Sequence, residues 1–218
     1  MEASGASPDR LTLPLVLKAC TRLRDVKLGK RIHSDISGTD LIENVRVRTA
    51  LIDFYCKCGL LDDAYELFEE MTQGDLAYWN AMISGHVKNF RYKDSIFLFS
   101  RMRRAGFDPN SVTLVSLLSA CTKLSNLRLG KEIHCYCLRR GFFESEPHVG
   151  TSLIGFYSGF DVGGVDEALE AFVQMLVDNV APDSVTLLAA LQSCVEFGCL
   201  ELGKQIHQLA VKIIKFGF

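Results

Sequence analysis

The sequence lacks the features that would send a chain into a membrane, onto a metal or through an export route. Its longest apolar runs, VTLVSLLSAC from Val112 and VTLLAAL from Val185, stop well short of the roughly 20 residues that a spanning helix needs. No membrane partner is expected. None of the eight cysteines stands in a CxxC; Cys56 and Cys58, and Cys135 and Cys137, are one residue apart, and Cys20, Cys121, Cys194 and Cys199 are scattered. A tetrahedral zinc site usually draws on two close cysteine pairs, or on one pair with two histidines. No metal and no cofactor are therefore expected, and the thiols read as small, reduced, buried apolar residues. Charge of one sign is missing too: 24 Lys and Arg against 26 Asp and Glu give a formal net charge of −2, so no broad basic field advertises nucleic acid. The opening MEASGASPDR carries Glu2 and Asp9 without a basic start or an apolar stretch, and no secretory signal or transit peptide is read in it.

What the sequence has is enough apolar mass for a core, 48% hydrophobic residues beside 23% charged, and a repeat. LGKRIH at Leu28–His33 returns as LGKEIH at Leu129–His134 and as LGKQIH at Leu202–His207. Thr12, Cys20, Gly29 and His33 all recur 101 residues later, as Thr113, Cys121, Gly130 and His134, and again after a further 73, as Thr186, Cys194, Gly203 and His207. Constant offsets across four marks indicate duplication and decide the fold before any other signal does.

Two more units lie between the copies, TALIDFYCKCGLLDDAYELFEEM from Thr49 to Met71 and NAMISGHVKNFRYKDSIFLFSRM from Asn80 to Met102. In each, a short apolar stretch ends near a turn, and a second one follows at i, i+3, i+4, i+7, as in Ala64, Leu67, Phe68, Met71 or Ser95, Leu98, Phe99, Met102. That spacing is one face of a helix, so each unit is a helical hairpin. Gly59 stands where the first helix of its unit should end. Pro8, Pro109 and Pro182 precede Asp9, Asn110 and Asp183, residues whose side-chain oxygens cap a following helix, and Pro14 falls in a first turn, where a missing N–H is harmless. Reading from cap to cap gives six units, 10–44, 45–75, 76–110, 111–146, 147–183 and 184–218, behind a remnant of a preceding repeat at 1–9. Within LGKxIH, the glycine and the isoleucine three residues on are expected to face a neighbouring helix. The histidines are expected to serve packing, because no carboxylate or cysteine recurs beside them.

ALIDFYCKCGLLDDAYELFEEM, YWNAMISGHVKNFRYKDSIFLFSRM with FDPN, and TLVSLLSACTKLSNLRLGKEIH together resemble the pentatricopeptide repeat proteins of plants, in particular the subfamily that alternates long, short and ordinary repeats. The resemblance runs from residue 8 to 218. It implies an all-α, right-handed α-solenoid whose first helices line a concave groove for single-stranded RNA, one base per repeat, in mitochondria or chloroplasts, for cytidine-to-uridine editing, splicing or transcript stabilisation. It also implies that two side chains per repeat read the base: Thr49 with Asp75 favouring guanine, Asn80 with Asn110 favouring cytosine over uracil, and Thr151 with Asp183. The corresponding residues of the LGKxIH units, Pro14, Val115 and Leu188, cannot hydrogen bond to a base edge and read as spacers.

The 73-residue interval departs from the pattern. TSLIGFYSGF resembles the first helix of a short unit and VDEALEAFVQM the second helix of an ordinary one, so 147–183 reads as a fused unit joined at Gly163 and Gly164. On that reading Thr151 and Asp183 are partners through the loss of a hairpin. The chain stops at Phe218 where another repeat would begin, and neither the E-type extension nor the His-x-Glu and CxxC of an editing deaminase is read in it. The expectation is an RNA-binding protein that is not an enzyme and that works with a separately encoded editing or processing protein. The competing readings are a tetratricopeptide-like scaffold for a protein partner and a truncated, non-functional fragment.

Overall fold

The computed structural model describes residues 9–70, 74–142, 146–159, 165–177 and 180–216. Residues 1–8 of the leading remnant, Met71, the Gly163–Gly164 join and Phe218 lie outside these residues. Among the described residues these helices follow in chain order: α1 (Thr12–Leu23), α2 (Val26–Ile36), α3 (Val45–Lys57), α4 (Leu61–Glu69), α5 (Leu76–Lys88), α6 (Tyr92–Arg104), α7 (Ser111–Lys123), α8 (Leu127–Arg140), α9 (Pro147–Tyr157), α10 (Val165–Val177), α11 (Ser184–Phe197) and α12 (Leu200–Phe216). No strand occurs among the described residues. The chain forms two compact units, Met1–Pro109 and Asn110–Phe218.

Local chemistry sets the helix starts. Asp9 Oδ1 accepts from the Thr12 amide at 2.7 Å, Asn110 Oδ1 from Thr113 at 3.2 Å and Asp183 Oδ1 from Thr186 at 2.7 Å, each satisfying an amide that the helix cannot. Asp25, Asn44, Asp75 and Asn126 cap α2, α3, α5 and α8 in the same way. Left-handed residues make the turns inside the hairpins: Arg24, Gly59, Phe90, Ser125 and Gly198 all have φ between 50° and 80°. Gly198 holds the place that Arg24 and Ser125 hold in the other two LGKxIH units. Glycine adopts that conformation freely, whereas arginine and serine are strained in it.

Packing then repeats. In the first unit α1 pairs with α2, α3 with α4 and α5 with α6, while the first helices α1, α3 and α5 lie side by side. In the second unit α7 pairs with α8, α9 with α10 and α11 with α12, and α7, α9 and α11 form the corresponding row. A first helix flanked in this manner is apolar on several faces. In α3 Leu51, Ile52, Phe54 and Tyr55 are all buried, and in α9 so are Val149, Leu153, Ile154, Phe156 and Tyr157.

The recurring hexapeptide is where one hairpin receives the next. A Cβ placed on Gly29 would lie under 3.0 Å from three ring carbons of Phe54, and one on Gly130 equally close to the ring of Phe156. The glycine is thus a notch cut to fit an aromatic ring. The histidine one turn on completes the contact: His33 Nδ1 lies 2.8 Å from the Tyr55 hydroxyl and His134 Nδ1 3.0 Å from that of Tyr157, with ring centroids 5.6 Å apart and planes at 66° in both. Burial pushes the Tyr55 hydroxyl up to about 12 and holds His33 below its ordinary value. Of the paired isoleucines, Ile133 and Ile206 are buried as expected, while Ile32 is only half-buried. The cysteines divide as well. Cys20, Cys56, Cys121, Cys137 and Cys194 are buried, Cys58 and Cys199 half-buried, and Cys135 exposed on the outer face of α8.

Two stability predictions follow from this packing. Gly130→Ala places a methyl group inside the Phe156 ring and should cost about 1–3 kcal/mol, read as a lower urea midpoint. Ser125→Gly relieves a left-handed backbone at an exposed turn and should raise stability by about 1 kcal/mol in the same assay.

Candidate nucleic-acid interface

The expected base-reading residues fall at two kinds of place. Thr49, Asn80 and Thr151 sit inside the first helices α3, α5 and α9, while Asp75, Asn110 and Asp183 are the N-caps of α5, α7 and α11. A residue within one first helix is therefore paired with the cap of the first helix that follows. Capping occupies part of each acceptor: Asp75 Oδ1 takes the Tyr78 amide at 2.9 Å, and Asn110 shares a reciprocal box with Thr113, whose hydroxyl accepts the Asn110 amide at 3.3 Å.

The structure brings Thr151 and Asp183 together through a third residue. Thr186 Oγ1 donates to Asp183 Oδ1 at 2.7 Å, which uses the only proton that hydroxyl has, so at 2.6 Å Thr151 is the donor to Thr186. The chain Thr151–Thr186–Asp183 fixes the threonine rotamer. These bonds hold the Asp183 carboxyl below its usual range, against the opposing effect of its partial burial.

Thr49 is placed alike and bonded differently. The residue matching Thr186 in the next first helix is Tyr78, whose hydroxyl donates to the Phe68 carbonyl and whose ring stacks on Phe68 with centroids 4.6 Å apart. No hydroxyl is left there for Thr49. Its Oγ1 is buried with no hydrogen-bond partner among the described residues, and no bond joins it to Asp75 although α3 and α5 pack together. An unpaired hydroxyl shielded from water carries a desolvation cost that a new polar partner would relieve. Asn80, on α5, is 8% exposed; Asn110 caps α7 in the other unit.

Pro14 and Val115 are half-buried and Leu188 is 67% exposed, so the spacer positions present apolar surface. Sequence reasoning missed Arg48, a cation 5% exposed whose guanidinium reaches Glu70 at 3.5 Å and whose Nε has no partner among the described residues. Its neighbours in sequence gave no hint of it, because burial on α3 comes from hairpins on both sides. Many surface cations are neutralised locally: Lys30 by Asp63 at 3.0 Å, Arg128 by Glu132 at 3.2 Å, Arg101 by Glu69 and Arg103 by Asp108. Among the described residues no group of three or more His, Cys, Asp or Glu side chains could hold a metal ion, and no helix is long and apolar enough to cross a membrane.

Helical hairpins whose first helices lie side by side in a row within each unit define a repeat protein of the α-solenoid class. The chain belongs to the pentatricopeptide repeat family: the family model described as PPR repeat matches residues 44–72, and that of the PPR repeat family matches 74–123. It is similar to an Arabidopsis thaliana pentatricopeptide repeat-containing protein, with 39% identity over 96% of this chain and 37% of the relative. A chloroplastic member from that plant is 33% identical over 95% of this chain and 27% of its own length, and a mitochondrial one 31% identical over 100% and 24%. The chain thus spans well under half the length of these curated relatives. Its fold matches the crystal structure of the pentatricopeptide repeat protein PPR10 in complex with an 18-nt psaJ RNA element, at a TM-score of 0.72 and 21% identity, over 100% of this chain and 31% of that one.

The contrast between the two threonines is measurable. Thr151→Val removes a donor to Thr186 and should cost about 1 kcal/mol. Thr49→Val removes a buried hydroxyl that has no partner among the described residues and should be neutral or stabilising by about 1 kcal/mol, compared by thermal unfolding of the two variants.

Proposed function

We propose that the chain binds single-stranded RNA sequence-selectively, one base per readable repeat. The observation that carries this reading is the Thr49 hydroxyl. It stands at the position that Asn80 and Thr151 share in their own helices, and it has no hydrogen-bond partner among the described residues. A rotation about χ1 would let it meet the Watson–Crick edge of an unstacked base, with Asp75, the cap of α5, as the second contact. By the family's pairing rule Thr49 with Asp75 favours guanine, and Asn80 with Asn110 favours cytosine over uracil. Thr151 and Asp183 face each other through Thr186, and opening that chain of bonds would precede any reading by the fused unit 147–183.

Selectivity on this reading comes from short neutral side chains rather than from a basic surface. With many cations already paired to carboxylates, few phosphate contacts form and the salt dependence of binding is shallow. The long, short and ordinary alternation supports assignment to the subfamily in which such units alternate, and its relatives named chloroplastic or mitochondrial support an organellar site of action. There the bound segment would be presented for editing, splicing or stabilisation, with the chemistry supplied by a separately encoded protein.

Selection from a randomised single-stranded RNA pool should enrich guanine followed immediately by cytosine or uracil. Asn80→Thr with Asn110→Asp should move the second preference to guanine; aspartate caps α7 as well as asparagine does, so folding is preserved. Thr49→Val should erase the guanine preference without loss of stability. A pool in which neither variant alters the enriched sequences would reject the reading.

A further inference from the structure

The second helices of the first unit carry a groove that neither the hairpin packing nor the candidate reading positions use. α4 and α6 both pack on α5, and the space left between them is a groove of about 660 Å³, lined by Asp62, Tyr65 and Glu66 of α4, His86 of α5, and Asp94 and Phe97 of α6 among others. Both walls are in place, so the unit itself bounds the groove. Its charge is one-sided. α4 has no basic residue and, with its cap, holds Asp62, Asp63, Glu66, Glu69 and Glu70. Lys30 takes Asp63 at 3.0 Å, Arg101 takes Glu69, and Arg48 reaches Glu70 at 3.5 Å. Asp62 and Glu66, four apart and therefore on one face of the helix, are exposed and bond to no side chain among the described residues. Arg91, on the other wall, is held by Asp94 at 2.7 Å.

His86 points to the same kind of occupant independently of those charges. It is 5% exposed, and its Nδ1 lies 2.9 Å from the Met82 carbonyl, which can only accept, so Nδ1 carries the proton. Nε2 is then a bare acceptor, without a partner among the described residues, on a ring that lines the groove. Burial holds this histidine below its ordinary value, which favours the acceptor form. A buried acceptor left unsatisfied asks for a donor. Beside it stand two exposed rings, Tyr65 at 38% and Phe97 at 55%. Unpaired carboxylates, an imidazole acceptor and aromatic faces together are the complement of a guanidinium, a planar fork of N–H donors that stacks on rings. RNA phosphates would be repelled by the same carboxylates, and a small polyvalent cation would leave the rings uncovered. We propose that the groove docks a basic segment of a partner protein. One arginine donates to His86 Nε2 against the rings of Tyr65 and Phe97, and a second, one helical turn along, pairs with Asp62 and Glu66 at the rim.

The probe is a capped alanine peptide with two arginines four residues apart, titrated at low salt into the full chain labelled with ¹⁵N. The expected result is saturable shifts at Tyr65, His86 and Phe97 with a Kd of about 1 mM or below, and movement of the His86 Nε2 resonance to that of an acceptor engaged in a hydrogen bond. Salt at about 0.5 M should weaken binding at least tenfold, as should citrulline in place of arginine. Asp62→Asn with Glu66→Gln should do the same; both sites are exposed and have no side-chain bond to lose, so the chain stays folded. Absence of shifts, equal binding of the citrulline peptide, undiminished binding by the doubly substituted chain, or an unmoved His86 resonance would each overturn the proposal. So would spermidine binding the groove as tightly as the peptide, or single-stranded RNA displacing the peptide from it, since the occupant would then be a simple cation or a nucleic acid.

Discussion

The fit of an aromatic ring into a glycine notch is the contact on which the rest of the architecture depends. Helices approach each other as closely as their side chains allow, and at Gly29 and Gly130 the absence of a Cβ lets the rings of Phe54 and Phe156 lie against backbone. Burying such a ring contributes on the order of 2 kcal/mol. It also fixes how far along the second helix the next hairpin sits, because the ring enters at that one place. The His–Tyr bond beside it fixes rotation about the same contact. Once α3 and α9 are located in this way, the positions of Thr49 and Thr151 relative to the following caps are consequences.

Much of this was legible in the letters. Caps and turns are local: a proline followed by aspartate or asparagine announces a helix start wherever it stands, and Asp9, Asn110 and Asp183 all do what their chemistry says. Duplication was legible because offsets of 101 and 73 hold for several residues at once. The partner of the hexapeptide was not, because it lies in a repeat of another type with different letters. The signal was nevertheless present. Phe-Tyr occurs twice, at 54–55 and 156–157, following Gly29 and Gly130 by 25 and 26 residues. Left-handed Arg24 and Ser125 were also hidden, since neither residue type announces that conformation and only Gly198 at the matching position betrays it.

The candidate reading positions show why residue identity alone underdetermines a site. Thr49 and Thr151 are the same residue at the same place in their helices, each followed by an aspartate that caps the next first helix. The difference lies three residues past that cap. Thr186 supplies a small hydroxyl that accepts from Thr151 and donates to Asp183, whereas Tyr78 carries its hydroxyl away to the Phe68 carbonyl and leaves Thr49 unmatched. A pairing rule that considers two residues treats these units alike, while hydrogen-bond accounting makes one open and the other closed.

That distinction bears on the fused unit. If 147–183 arose by loss of a second helix and the first helix after it, the remaining first helix inherited a new neighbour, and its threonine met a threonine-bearing helix start in α11. A hydroxyl satisfied by its neighbour gains little from a base, because binding must first break a bond of about equal worth. The bonds from Thr151 through Thr186 to Asp183, together with Ser158 meeting Ser193 at 3.0 Å two turns along, join α9 to α11. Thr49 lacks that constraint, because Tyr78 at the matching place of α5 turns its hydroxyl to the Phe68 carbonyl.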